Sequence, residues 1–195
     1  MKKLFLLFLL LLPISLFSQN IDINTLKSIH NPQPTSSDGF FRFISNSDVY
    51  IAFGVPVTMT AIGLIKKDKT LTRNGYEALA AVSVNFAFTF GIKKIVNRER
   101  PFNKYPDYIS NKTYKTIKDP SFPSGHTSIA FSLASSLSLQ YNKWYVAIPA
   151  YTWAGTVGYS RMELGAHYPS DVIGGALVGI GSSYLTHTLN NKYNK

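Results

Sequence analysis

Five stretches of this chain carry no Asp, Glu, Lys or Arg: residues 49–65, 78–92, 127–142, 144–160 and 172–191, of 17, 15, 16, 17 and 20 residues. None alternates apolar and polar residues with period two over any distance, so strands are disfavoured and helices expected. A helix that crosses a bilayer needs about 20 residues, with a range of about 17–25. The five stretches sit at the lower edge of that range, and several are diluted with Ser, Thr and Gly. Membrane helices fit this pattern, and so do the buried helices of a soluble all-α bundle. The expectation is an all-α fold, a helical bundle of about five core helices, embedded in a membrane, with a soluble bundle as the alternative. At 195 residues the chain holds one such domain, with no internal repeat.

The N-terminus bears on location. Met1-Lys2-Lys3 precedes an apolar run from Leu4 to Leu12, then Pro13, and a small residue at Ser18. This reads as a secretory signal peptide over residues 1–19, or as an uncleaved signal anchor, because Leu16 is a poor residue two positions before Ser18. Residues 20–48 are polar and turn-rich, a loop or short-helix lead-in, and residues 49–195 form the main domain. If the N-terminal stretch crosses outward and the five helices then alternate, one side receives Lys2, Lys3, Lys66, Lys67, Lys69, Arg73, Lys143, Lys192 and Lys195. That agrees with the positive-inside tendency. The long segment 96–122 disagrees, since it would lie outside and yet carries Arg98, Arg100, Lys104, Lys112, Lys115 and Lys118.

Composition narrows the function. Lys and Arg total 20 against 10 Asp and Glu, a formal charge of +10, in a chain only 15% charged. Soluble chains average about 25%. With 13 Phe and 12 Tyr the chain is no disordered polybasic tail. The absence of cysteine excludes disulfide scaffolds, thiol catalysis, Cys-ligated zinc and iron–sulfur clusters. Few charges with a positive balance point to a membrane protein or a binder of anions, and export speaks against a nucleic-acid partner.

Three clusters carry chemistry. Lys93 and Arg100 are seven residues apart, two helical turns, so one helix would present both from the same face; Pro101 then ends that helix. Alone, this is a solvated basic helix end. Pro123-Ser124-Gly125-His126 stands just before an apolar helix, where free backbone N–H groups and the helix dipole favour an anion. Alone, Ser124 is an N-cap and His126 a surface residue. In the third, Ser160-Arg161 precedes His167 and Asp171. The four-residue spacing lets one ring nitrogen bond the carboxylate and leaves the other available as nucleophile or base, unless His167 is simply a satisfied helix-end histidine. One His and one Asp make a poor metal site.

In this order the clusters resemble the type 2 phosphatidic acid phosphatase superfamily, which also includes bacterial class A acid phosphatases and vanadium haloperoxidases. The match is Lys93-x6-Arg100-Pro101, Pro123-Ser124-Gly125-His126 and Ser160-Arg161-x5-His167-x3-Asp171, with 21 and 33 residues between motifs. It covers roughly residue 49 to the C-terminus and is closest to short bacterial membrane-associated phospholipid phosphatases. The resemblance implies a metal-independent phosphatase that uses no cofactor and works through a phosphohistidine. His167 would attack phosphorus, Asp171 orient it, and His126 protonate the leaving oxygen and later activate water. Lys93, Arg100, Ser124, Gly125 and Arg161 would hold the phosphoryl oxygens. The implied substrate is a phosphorylated lipid: phosphatidate, phosphatidylglycerophosphate, polyprenyl diphosphate or lipid A. No obligate protein partner is implied. The implied place is the bacterial inner membrane with the site facing the periplasm, or the periplasm itself. A soluble acid phosphatase acting on small phosphomonoesters is the alternative, and a non-catalytic anion-binding membrane protein a remote one. His30, His187, Lys104, Lys112, Lys115 and Lys118 receive no role.

Overall fold

A computed structural model of the chain describes residues 14–193. Among the described residues there are seven helices and no strand: α1 (Ile14–Ile29), α2 (Asp38–Lys66), α3 (Lys69–Val96), α4 (Pro101–Lys104), α5 (Gly125–Tyr141), α6 (Trp144–Glu163) and α7 (Pro169–Tyr193). The five uncharged stretches are the cores of α2, α3, α5, α6 and α7. Most of the expected signal or anchor stretch, residues 1–13 of 1–19, lies outside the described residues.

Short polar signals end and start the helices. Lys67, Asn97 and Asn142 adopt left-handed φ values of 57°, 46° and 47° and terminate α2, α3 and α5. Asp68 then caps α3 by accepting from the Leu71 N–H at 3.0 Å, which leaves one of the orphan donors of the first turn satisfied. The lead-in 20–48 is more helical than its turn residues suggest: residues 20–29 continue α1, and Asp38 already opens α2. Two of its acids are drawn into the fold, Asp22 by Arg98 at 2.6 Å and Asp38 by Lys112 at 2.8 Å.

α5 is central and packs against α7, α6 and α3. It meets α7 at backbone distance. A Cβ at Gly179 would lie 2.3 Å from the Ser128 carbonyl oxygen, and one at Gly175 2.6 Å from that of Ser124. The hydroxyls of Ser132 and Ser183 bond across the same seam at 3.1 Å.

The interior is small and polar. Ala78, Ala81, Ala130, Ala134 and Ala154 are buried together with Ser132, Ser135 and Ser136. The bulky apolar side chains point outward: Phe53, Val57, Leu64, Phe86, Phe90, Ile148, Ile173 and Leu177 are 39–61% exposed. Only 28% of the most apolar window of α2 is buried. In water such a surface would be an aggregation hazard. In lipid it is the expected arrangement, because helices there associate through small residues and hydroxyls while bulky apolar groups face the acyl chains. The bundle is therefore membrane-embedded, and the soluble alternative falls.

One end of the bundle gathers the end of α3, α4, the loop 105–124, the starts of α5 and α7 and the end of α6. Ile23 and Leu26 of α1 pack there with Ile109 and Tyr168, a small apolar core beneath the loop.

Candidate active site

At that end Lys93, Arg100, Gly125, His126, Arg161 and His167 line one cavity of about 120 Å³. Ser124 and Asp171, the other two residues singled out from the sequence, are buried behind it.

The first cluster is assembled differently from its spacing. α3 stops at Val96, so Lys93 and Arg100 do not share a helix face; Arg100 is the N-cap of α4, ahead of Pro101. The left-handed Asn97 breaks the helix before the second turn is complete. Asp119 reunites the two cations, its carboxylate lying 2.9 Å from Lys93 Nζ and 3.0 Å from Arg100 Nη2. Arg100 Nε donates to the Asp119 carbonyl at 2.9 Å and Nη1 to the Ala166 carbonyl at 2.9 Å, while Lys93 Nζ donates to the Pro120 carbonyl. Burial alone would raise the Asp119 pKa. The hydrogen bond from Lys93 and the charges of Arg100 and Lys93 outweigh it, so the carboxyl is held below its ordinary range.

In the second cluster Ser124 is the N-cap of α5, its Oγ accepting from the Thr127 hydroxyl at 2.8 Å and the Thr127 N–H at 3.5 Å. Gly125 and His126 open the helix onto the cavity. Arg161 reaches the same space from the last turn of α6. It is 3% exposed and donates through Nη1 to Ser45 Oγ of α2, while its Nε has no hydrogen-bond partner. An orphaned, buried guanidinium N–H costs stability unless an anion arrives to accept it.

His167 is 1% exposed and lies between the helix ends. Its Nε2 is 3.0 Å from Arg100 Nη1. An arginine only donates, so Nε2 is the unprotonated nitrogen, and its lone pair is directed at Arg100 on the cavity wall. The N–H is then on Nδ1, 3.4 Å from Ser121 Oγ and 3.5 Å from Asp171 Oδ2. Burial, and then the positive charges of Arg100, Arg161 and Lys93, push the imidazole pKa well below its ordinary value, so the ring is neutral. Asp171 is fully buried and fully engaged: Oδ2 accepts from Ser121 Oγ at 2.5 Å and the Tyr168 N–H at 2.9 Å, and Oδ1 from Arg98 Nη1 at 2.8 Å. Arg98 in turn bonds Asp22 and Ser170 and lies over the Tyr168 ring. The pair expected from the four-residue spacing is thus long, and Ser121 sits beside it.

Sequence reading missed Asp119, Ser121, Arg98 and Ser45. Asp119 had a usable signal, one of two acids among four lysines between residues 101 and 124. Ser121 and Ser45 had none. His30, left without a role, is a strut: Nδ1 donates to the Glu163 carbonyl at 2.7 Å, and Nε2 accepts from the Ser110 N–H at 3.1 Å. Its neutral form fits its pKa, which burial lowers against the pull of the Glu163 carbonyl.

Comparison with known proteins gives four findings. Residues 75–195 match the model of the PAP2 superfamily. The undecaprenyl-diphosphatase of Sulfolobus acidocaldarius is 33% identical over 173 residues, 86% of this chain and 79% of that protein. The lipid A 4'-phosphatase of Bacteroides thetaiotaomicron is 37% identical over 71 residues, but the match spans only 32% of its length and 36% of this chain. The crystal structure of the transmembrane PAP2-type phosphatidylglycerolphosphate phosphatase from Bacillus subtilis superposes with a TM-score of 0.76 at 26% identity, over 98% of this chain and 96% of that one. With the family model over most of the chain and an archaeal relative aligned along most of both lengths, this chain belongs to the PAP2 superfamily, as a membrane-associated phosphatase.

Proposed function

We propose that the chain hydrolyses phosphate monoesters or diphosphates of membrane lipids through a phosphohistidine on His167, at a site facing the periplasm. One observation carries this reading: the neutral, buried His167, with Nε2 unprotonated beside Arg100, lines one cavity with Lys93, Arg100 and Arg161. Phosphoryl transfer is mostly positioning and charge stabilisation, and three fixed cations supply both. In the proposed first step the Nε2 lone pair forms a bond to phosphorus as the bond to the lipid oxygen breaks. A proton that arrives with the phosphoryl group passes through His126 to that oxygen. In the second step His126 takes a proton from water, the oxygen attacks phosphorus, and the bond to Nε2 breaks to release phosphate. Asp171 holds the Nδ1 proton side of the ring and Ser121 bridges them. The Gly125 N–H, at the start of α5, faces the phosphoryl oxygens. The names of the relatives, which act on undecaprenyl diphosphate and lipid A, favour a lipid substrate, and so does the outward apolar surface beside the site.

The test is phosphate release by detergent-purified protein from phosphatidate, phosphatidylglycerophosphate, undecaprenyl diphosphate and lipid A, with nitrophenyl phosphate alongside, all in EDTA. Turnover of at least one lipid is expected to persist under chelation and to vanish in His167→Ala. Activity lost in EDTA and restored by a divalent ion contradicts the metal-independent reading.

A further inference from the structure

The carboxylate of Asp119 bridges two of the cations that line the cavity. Its two oxygens bridge Lys93 and Arg100 at 2.9 and 3.0 Å, as two phosphoryl oxygens would. Backbone carbonyls of this loop and of the α6–α7 connection also grip these cations. The Asp119 carbonyl takes Arg100 Nε, the Pro120 carbonyl takes Lys93 Nζ, and the Ala166 carbonyl takes Arg100 Nη1. Lys93 and Arg100 would therefore keep their positions if the carboxylate left. The partners also differ in freedom: the Asp119 side chain is 53% exposed, against 11% for Lys93 and 5% for Arg100. The cations are fixed and the anion stands at the solvent edge, able to rotate out. Asp119 stays ionised, held so by the same two cations, which makes it a poor proton donor.

We infer that Asp119 is an internal stand-in for the substrate phosphoryl group, which must displace it from Lys93 and Arg100. This rests on the reading of the cavity as a phosphoryl site. The consequence is a threshold for binding. Displacing a bridging carboxylate costs binding energy, and a phosphorylated lipid recovers that energy from contacts along its apolar body. Inorganic phosphate and small soluble phosphomonoesters have no such contacts to draw on. Asp119 thus keeps weakly bound anions such as product phosphate off the site, while a lipid-borne phosphoryl group has binding energy enough to enter.

The experiment compares wild type and Asp119→Asn, full-length in detergent, by competitive inhibition with inorganic phosphate and by KM for nitrophenyl phosphate and a lipid phosphate. With two partly exposed ion pairs released, phosphate should inhibit the variant at about ten-fold lower concentration. KM for nitrophenyl phosphate and for the lipid should fall by similar factors, because the same two ion pairs no longer have to be broken for either. Unchanged or weaker phosphate inhibition overturns the inference; a weaker one makes Asp119 a positioning residue for the cations. Arg100→Ala separates the two levels, because phosphate inhibition that survives it sinks the phosphoryl-site reading itself. A wild-type crystal structure with vanadate bound serves if Asp119→Asn does not fold. The carboxylate should then stand clear of Lys93 and Arg100 while the three carbonyl contacts remain. Vanadate seated with both ion pairs intact overturns the inference.

Discussion

His167 and His126 have separable duties, and their variants should fail differently. A nucleophile is needed for every substrate, so His167→Ala should reduce turnover to background whatever the leaving group. A general acid matters in proportion to leaving-group basicity and typically supplies about 10²–10⁴-fold. His126→Ala should therefore cost that much with a lipid phosphate but far less in the first turnover of nitrophenyl phosphate, whose phenolate leaves with little help. A rapid-quench burst of nitrophenolate measures it, and equal losses in both assays would reduce His126 to a phosphate ligand. The buried ring of His167 makes a second prediction. Its pKa is driven well below the ordinary 6.5 by burial and by Arg100, Arg161 and Lys93. Its Cε1 resonance, assigned by comparison with His167→Ala, should stay flat across the range in which exposed histidines titrate. Because the unfolded chain takes up a proton near pH 6.5 that the folded site refuses, this group's contribution to stability is present above that pH and is lost as pH falls below it. A resonance that titrates near 6.5 would mean that the ring is solvated and its cationic surroundings are open.

A tight backbone constraint between helices lies on α7. A Cβ at Gly179 would meet the Ser128 carbonyl oxygen at 2.3 Å and the Ser132 nitrogen at 2.8 Å, both backbone, whereas Gly181 has no neighbour within 4 Å. Overpacking costs about 1–3 kcal/mol, while Gly to Ala in an open helical position recovers up to about 1 kcal/mol of helix propensity. Gly179→Ala should lower the unfolding temperature in detergent, and Gly181→Ala should leave it unchanged or raise it. A similar response from both would mean that α5 and α7 are not in backbone contact. The element scale also divides what was legible in the sequence from what was not. The five helix cores were readable because uncharged runs of 15–20 residues have few other uses, and the site motifs because His, Arg and Pro at fixed spacings are rare. The joint face of Lys93 and Arg100 was misread, since periodicity carries no warning that Asn97 would turn left-handed. Asp119 and Ser121 escaped because a loop residue acquires its partners only when the loop folds back over the helix ends. Gly179 looked like dilution of an apolar helix, when it is the condition for α7 to reach α5.

Across the whole molecule, charge separates the two ends of the bundle. The end opposite the cavity carries Lys66, Lys67, Lys69 and Arg73 at the α2–α3 connection, with Lys192 near the end of α7. The cavity end holds many cations too, which by simple counting argues against placing it outside. Four of its charges are neutralised within the fold, however. Arg98 is paired with Asp22 and Asp171, Lys93 and Arg100 with Asp119, and Lys112 with Asp38 in a pair that is almost wholly buried. A cation neutralised inside the fold differs from the solvated loop charges on which the orientation bias rests, so the α2–α3 end should dominate and remain in the cytoplasm. The chain has no cysteine, which makes single-cysteine probes clean. Lys118→Cys, in the exposed loop over the cavity, should label with an impermeant maleimide in intact cells. Lys69→Cys, exposed at the opposite end, should label only after lysis. Labelling of Lys69→Cys alone would invert the bundle and put the cavity in the cytoplasm, where periplasmic lipid phosphates cannot reach it. Labelling of both in intact cells would mean that the bundle does not span the membrane, and the outward Phe, Ile and Leu side chains would need another partner.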